Sequence, residues 1–134
     1  MKKMNPVVHF EMPANDRERM AKFYSSAFGW NYQLLGKEMG NYVTVQTCET
    51  DDHGMIKRVG AINGGFYPVD KSAAPAAPSI VIAVEDIKAA MKIVTSAGGK
   101  ILGEPVEIPG IGPFVSFLDT EDNRVSILQP KQME

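Results

Sequence analysis

HFEMPANDRERMAKFYSSAFG, residues 9–29, and SIVIAVEDIKAAMKIVTSAGG, residues 79–99, align without a gap at a shift of 70. The shift sets Asp16 on Asp86, Met20 on Ala90, Phe23 on Ile93, Ala27 on Ala97 and Gly29 on Gly99. Each stretch is a short apolar run, an acidic helix start, an amphipathic helix and a glycine stop. A strand–helix unit that recurs at a fixed distance predicts an internally repeated fold.

Outward from the repeat, residues 7–12 read as a strand between Pro6 and Pro13. Asn15 or Asp16 can cap a helix over 16–28 by accepting backbone N–H bonds. Its predicted apolar stripe is Met20, Phe23, Tyr24, Ala27 and Phe28. Gly29 stops it in the left-handed conformation. Residues 30–35, 42–48 and 59–63 read as strands, and the polar stretch 49–57 as a loop, so the first module is βαβββ. Residues 80–84 open the second module. A helix over 85–97 follows, then strands near 100–108, 114–119 and 125–129, with a hairpin turn at 120–123, and this too is βαβββ. The expected organisation is one α+β domain, 1–134, holding modules at 5–65 and 79–130. The linker, 66–78, is rich in proline and alanine, and the tail 131–134 is expected to fray.

Composition narrows the partners. The net charge of −2 leaves no broad basic face for nucleic acid. No apolar run is long enough to span a membrane or to serve as a signal peptide. The single cysteine, Cys48, has no internal disulfide partner, and a reducing cytoplasm is the expected location.

The two-module layout, Phe23-Tyr24 followed by Phe28-Gly29-Trp30, the helix entry Val84-Glu85-Asp86-Ile87, the stop Ala97-Gly98-Gly99 and the hairpin DTEDNRV at 119–125 together resemble the vicinal oxygen chelate superfamily. That group includes glyoxalase I, extradiol dioxygenases and bleomycin-resistance proteins. The resemblance covers residues 5–130 and implies an open, cup-shaped mixed sheet. It further implies two metal-ligand points per module, on the first and last strands, and a homodimer, the commonest closed assembly. At such a site a divalent ion acts as a Lewis acid toward a substrate's oxygen pair.

The four points read as His9, Gly60, Ser79 and Ser126. Imidazole and carboxylate suit such ions; a neutral hydroxyl is a poor ligand and glycine has no side chain. The expectation is therefore no cofactor, with a divalent metal disfavoured.

His9 and Glu11 lie two apart on a strand and share a face. As a candidate catalytic pair they would form an acid–base couple, the carboxylate raising the histidine pKa. The plainer alternative is a hydrogen-bonded structural pair. Trp30, Tyr42, Phe66, Tyr67 and Phe114, with Ser79 and Ser126, are candidate ligand-binding residues; ordinary core packing is the alternative for each aromatic. Gly64-Gly65 reads as a hinge that makes Phe66-Tyr67 a rim. His53 among Asp51, Asp52 and Gly54 reads as a solvated turn, and Cys48 as a small buried apolar residue. Glu121, Asp122 and Arg124 read as an exposed ion cluster. The functional expectation is metal-independent binding of a small apolar compound. The alternative is a glyoxalase-like lyase, isomerase or thiol transferase whose metal site lies away from the usual positions.

Overall fold

The computed structural model describes residues 4–69 and 76–131. The chain divides into two compact units, His9–Pro78, and Ser79–Glu134 taken with Met1–Val8. Among the described residues no helix is long and apolar enough to cross a membrane.

The first unit runs β1 (Val7–Ala14), α1 (Arg17–Phe28), β2 (Asn31–Leu34), a 3₁₀ turn at Lys37–Met39, β3 (Val43–Gln46) and β4 (Asn63–Pro68). The strand order is β2-β3-β4-β1. β1 and β4 are parallel, while β2–β3 and β3–β4 are antiparallel, so the sheet is mixed. Strand alternation sends Phe10, Met12 and Ala14 toward α1. They pack with Ala21, Val43, Val45 and Phe66, and with Met20, Tyr24 and Trp30 around the edge. His9, Glu11, Gly65 and Tyr67 fall on the opposite face.

The second unit repeats the plan with β5 (Ser79–Ala83), α2 (Ile87–Ser96), β6 (Lys100–Ile108), β7 (Gly112–Leu118) and β8 (Arg124–Leu128). Its order is β5-β8-β7-β6, with β5 parallel to β8. Val84, Ile87, Val115, Phe117 and Ile127 form its core under α2.

Both helices start as the sequence predicts. Asp16 Oδ1 accepts from Arg19 N at 3.0 Å, and Asp86 Oδ1 accepts from Ala89 N at 3.1 Å. The stops differ. Gly29 is left-handed at φ 74°, but in the second copy Gly98, at φ 105°, takes that role and Gly99 does not. Gly99 is instead a packing glycine, because a Cβ there would press on Val94 and on the Leu118 carbonyl. The copies are thus out of step by one residue at the helix end.

Three further expectations need correction. Ala21 at 1% exposure is the centre of the α1 contact, whereas Phe23 and Phe28 are 58% and 63% exposed. The helix turns Arg17, Met20, Ala21 and Tyr24 inward, and the small Ala21 allows close approach to the sheet. The fourth strand does not run over 59–63. It begins at Asn63 and continues through the glycine pair to Pro68. Gly64 and Gly65 are not a hinge. Gly64 pairs with Phe10 and Gly65 with Glu11. A Cβ on Gly64 would strike the Phe10 ring, and one on Gly65 the Tyr42 ring. Each glycine is the seat for an aromatic ring on one face of the sheet, and that requirement reads in one dimension as a strand breaker.

Candidate functional site

The open face of the first unit's sheet carries the site. β1 presents His9 and Glu11 there, as alternation predicts. β3 runs antiparallel to β4 with Thr44 opposite Gly65. Tyr42, two residues before Thr44, therefore projects on the same side and lies across Gly65. Its phenol oxygen stands between the two β1 side chains. It donates to Glu11 Oε2 at 2.9 Å and lies 2.9 Å from His9 Nε2. The backbone of Tyr42 is fixed from three directions. Leu35 N donates to Tyr42 O at 2.9 Å, and Tyr42 N donates to Met39 O at 3.3 Å. Arg17, in the first turn of α1, donates from Nη1 to Leu35 O at 2.6 Å and to Asn41 O at 3.1 Å. A positive φ of 55° at Asn41 makes the turn that delivers Tyr42.

The electrostatics depart from expectation. Glu11 does not lift the His9 pKa; burial lowers it from the usual histidine value. Desolvation disfavours the imidazolium, and the carboxylate bonds to the phenol between them. Tyr42 is pushed far above the ordinary phenol range, first by burial, then by the Glu11 charge and hydrogen bond, and last by Tyr67. Tyr42 is thus a neutral donor, and His9 a neutral imidazole near pH 7.

The other candidates divide. Tyr67 is on β4 near enough for Tyr42 to feel it, and its hydroxyl donates to Ala77 O at 3.4 Å. It lies on a strand, not on a rim after a hinge. Phe66 is 0% exposed inside the core and offers nothing to a ligand. Trp30 stacks on Tyr24 at 4.9 Å and tilts against Phe10, on the helix side of the sheet. Ser79, Phe114 and Ser126 belong to the second unit. Ser126 lies opposite Val81 and Ser116, and its hydroxyl is 2.8 Å from that of Ser116. The pair is 3% and 8% exposed. Phe114 pairs with Leu128 on β8 and with Val106 on β6.

Register also corrects the first unit's last-strand point. Glu11 corresponds to Val81 under the shift of 70. Val81 pairs with Ser126 and Glu11 with Gly65. The counterpart of Ser126 is therefore Gly65, not Gly60, which lies outside β4. The donor set does not fit a divalent ion in either unit. The first unit offers His9 and Glu11, both hydrogen-bonded to the phenol that covers Gly65, and so two donors where about three are needed; the second offers two hydroxyls, one of them buried and already paired. Among the described residues no group of three His, Cys, Asp or Glu side chains gathers elsewhere.

Elsewhere His53 sits in an exposed turn as expected, whereas Cys48 is half-buried and not the buried residue expected. Asp51 Oδ1 accepts from His53 N and Met55 N, making a turn. In the β7–β8 hairpin it is Asp119 that organises the turn. It accepts from Asn123 Nδ2, Asn123 N and Glu121 N, which in that order hold its carboxyl below the usual range. The missed residue was the bridge itself: Tyr42 was visible only as an aromatic bordering a pocket.

Comparison with known proteins agrees with this architecture. Residues 7–127 match the family model described as Glyoxalase/Bleomycin resistance protein/Dioxygenase superfamily. A glyoxylase-like domain-containing protein of Didymella fabae is 37% identical over 123 residues, spanning 87% of this chain and 88% of that protein. The anthracycline biosynthesis protein DnrV of Streptomyces peucetius is 24% identical over 133 residues, 93% of this chain; the chain spans 47% of its length. Among solved structures, a Streptomyces coelicolor methylmalonyl-CoA epimerase variant in complex with 2-nitronate-propionyl-CoA shares the fold at a TM-score of 0.68 and 14% identity. That match covers 98% of this chain and 99% of the epimerase. The chain belongs to the Glyoxalase/Bleomycin resistance protein/Dioxygenase superfamily, and its two βαβββ modules are the glyoxalase/bleomycin-resistance fold.

Proposed function

We propose that this protein binds a small, largely apolar compound without a metal ion, and that His9, held in place by Tyr42 and Glu11, engages the compound's polar end. One observation carries the reading. At the last-strand point of the first module, where a metal ligand would stand, a phenol lies over Gly65 and is hydrogen-bonded to both neighbours. The imidazole that would serve a metal is engaged at Nε2 instead. Tyr67 supplies an aromatic surface beside the trio. The name of the Streptomyces peucetius relative, an anthracycline biosynthesis protein, points toward small-molecule chemistry as well.

Elemental analysis of the purified chain, paired with native mass spectrometry for a co-purifying compound, tests this. The expected outcome is a bound organic mass that survives dialysis against a chelator. Stoichiometric zinc, nickel or manganese, removed by the chelator and lost in His9→Ala, refutes it. The same reading takes the working assembly to be a homodimer, and light scattering that finds a monomer at high micromolar concentration refutes that part.

A glyoxalase-like lyase, isomerase or thiol transferase is the second reading. The neutral imidazole favours it, since a base must be unprotonated to take a proton from a substrate. Turnover of a bound compound, abolished in His9→Ala, would select it over simple binding.

A further inference from the structure

A phenol has one proton, and Tyr42 gives its own to Glu11 Oε2. The same oxygen is 2.9 Å from His9 Nε2. With the phenol proton committed to the carboxylate, that short contact is a hydrogen bond only when Nε2 carries the imidazole proton and donates it. In a neutral imidazole the other nitrogen, Nδ1, is then a bare lone pair. Among the described residues the His9 ring makes no second hydrogen bond, and no buried side-chain nitrogen or oxygen lacks a partner. An Nδ1 without a partner is therefore not fully enclosed by protein atoms, although the ring is half-buried. The order of the trio fixes the direction of every donor: His9 to Tyr42, and Tyr42 to Glu11.

Resting on the binding reading above, we propose that Glu11, acting through Tyr42, holds His9 as the Nε2–H tautomer, and that the unprotonated Nδ1 selects ligands bearing a hydroxyl or N–H donor. Tyr42 and Glu11 are positioning residues, and His9 is the group that touches the ligand. A hydroxylated, largely apolar molecule satisfies Nδ1. An ether of the same shape sets one lone pair against another and leaves the acceptor without a proton, which is costly away from water.

The test uses the full chain with ¹⁵N-labelled histidine. The sequence has two histidines, so His53→Gln assigns the His9 signals. Two-bond ¹⁵N–¹H correlation near pH 8 should show a protonated Nε2 and an unprotonated Nδ1. Tyr42→Phe keeps the ring over Gly65 and should let the two nitrogens drift toward a tautomer average. Glu11→Gln reads the same coupling if Tyr42→Phe does not fold. The ligand arm titrates 2-naphthol against 2-methoxynaphthalene. Wild type should prefer the naphthol by about 3- to 10-fold, and Tyr42→Phe should lose the preference. A protonated Nδ1 in wild type, or a tautomer unmoved by the substitution, overturns the lock. A locked tautomer with equal affinity for the two compounds overturns the selection. A locked tautomer with no binding of either compound overturns the binding reading, and the selection with it, while the lock stands.

Discussion

Gly65→Ala is the sharpest perturbation this site allows, because its sign should depend on one other residue. The three atoms nearest to a Cβ built on Gly65 all belong to the Tyr42 side chain, and they lie too close to coexist with it. Gly65 is not among the positive-φ glycines, so alanine suits its backbone. Either the phenol stays and the strands strain, costing about 1–3 kcal/mol, or it swings away. Swinging away gives up the bond from His9, worth about 0.5–1.5 kcal/mol, and the bond to the Glu11 carboxylate, worth about 1.5–3 kcal/mol. Against this, alanine narrows the unfolded ensemble and returns about 0.4–1 kcal/mol. The chain takes the cheaper of the two routes, so the net expectation is a destabilisation of about 1–2 kcal/mol. In a Tyr42→Ala background the obstacle is gone, and only the unfolded-state gain remains. There Gly65→Ala should be neutral or stabilising by about 0.5 kcal/mol. Urea unfolding of the four proteins in the double-mutant cycle measures this directly. Gly64→Ala is the control: its obstacle is the Phe10 ring, so it should stay destabilising when Tyr42 is removed. If Gly65→Ala costs the same with and without Tyr42, the phenol does not occupy that seat, and the account of the site fails.

The buried Ser116–Ser126 pair should behave non-additively: either Ser→Ala alone leaves a buried hydroxyl without its partner and costs about 1–3 kcal/mol, while the double substitution is close to neutral. Additive losses in denaturant unfolding would refute this. Stability should fall as pH drops below the ordinary histidine value of 6.5. The His9 pKa is depressed in the folded state, so the unfolded chain binds more protons in that window. Thermal unfolding of His9→Gln should lose that part of the pH dependence, and an unchanged profile would refute the assignment. Arg17→Ala should cost about 1–3 kcal/mol through the Leu35 and Asn41 carbonyls. It should also broaden the Tyr42 ring resonances, since those bonds set where Tyr42 leaves the turn; a sharp, unshifted Tyr42 would make Arg17 purely a stabiliser.

What the sequence disclosed followed from local causes. Asp16 and Asp86 announce helices because a cap needs only the next three residues. Gly29 announces a stop for the same reason. His9 and Glu11 share a face because alternation is a property of one strand. The bridge between them was not legible: Tyr42 is 31 residues from Glu11 and 33 from His9, and only the β1–β4–β3 register brings it over Gly65. The same register hid β4. Val59 and the apolar residues after it read as a strand, while Gly64-Gly65 reads as its end. In the folded chain Val59 is fully exposed, and the glycines are the middle of the strand, kept bare for rings that arrive from elsewhere. Phe66 read as a rim residue for the same reason: once the glycines are taken for a hinge, the aromatic beyond them is assigned to the outside.

The duplication lets each module serve as a control for the other at the last-strand point. In the first, Gly65 lies opposite Thr44 on β3, and Tyr42 reaches it from two residues before. In the second, Ser126 lies opposite Ser116 on β7, and the hydroxyls bond directly. In both cases a side chain on the antiparallel neighbour closes the place where a ligand carboxylate would stand. The metal point is therefore more than a position lacking a carboxylate; it is occupied from the side. Placing one back by a single substitution should fail for a different reason in each module. Gly65→Glu collides with the phenol that His9 and Glu11 hold. Ser126→Glu puts a carboxylate at a position 3% exposed, where one Ser116 hydroxyl cannot replace the water it loses. Neither variant should gain zinc or manganese affinity by isothermal titration, and both should be less stable than wild type. Tyr42→Ala combined with Gly65→Glu removes the obstruction and frees Nε2 of His9 in the same step. If any engineered variant of the first module acquires a metal, it should be this one. Affinity appearing in Gly65→Glu alone would mean that the phenol yields at little cost, and the metal-independent reading would lose its structural basis.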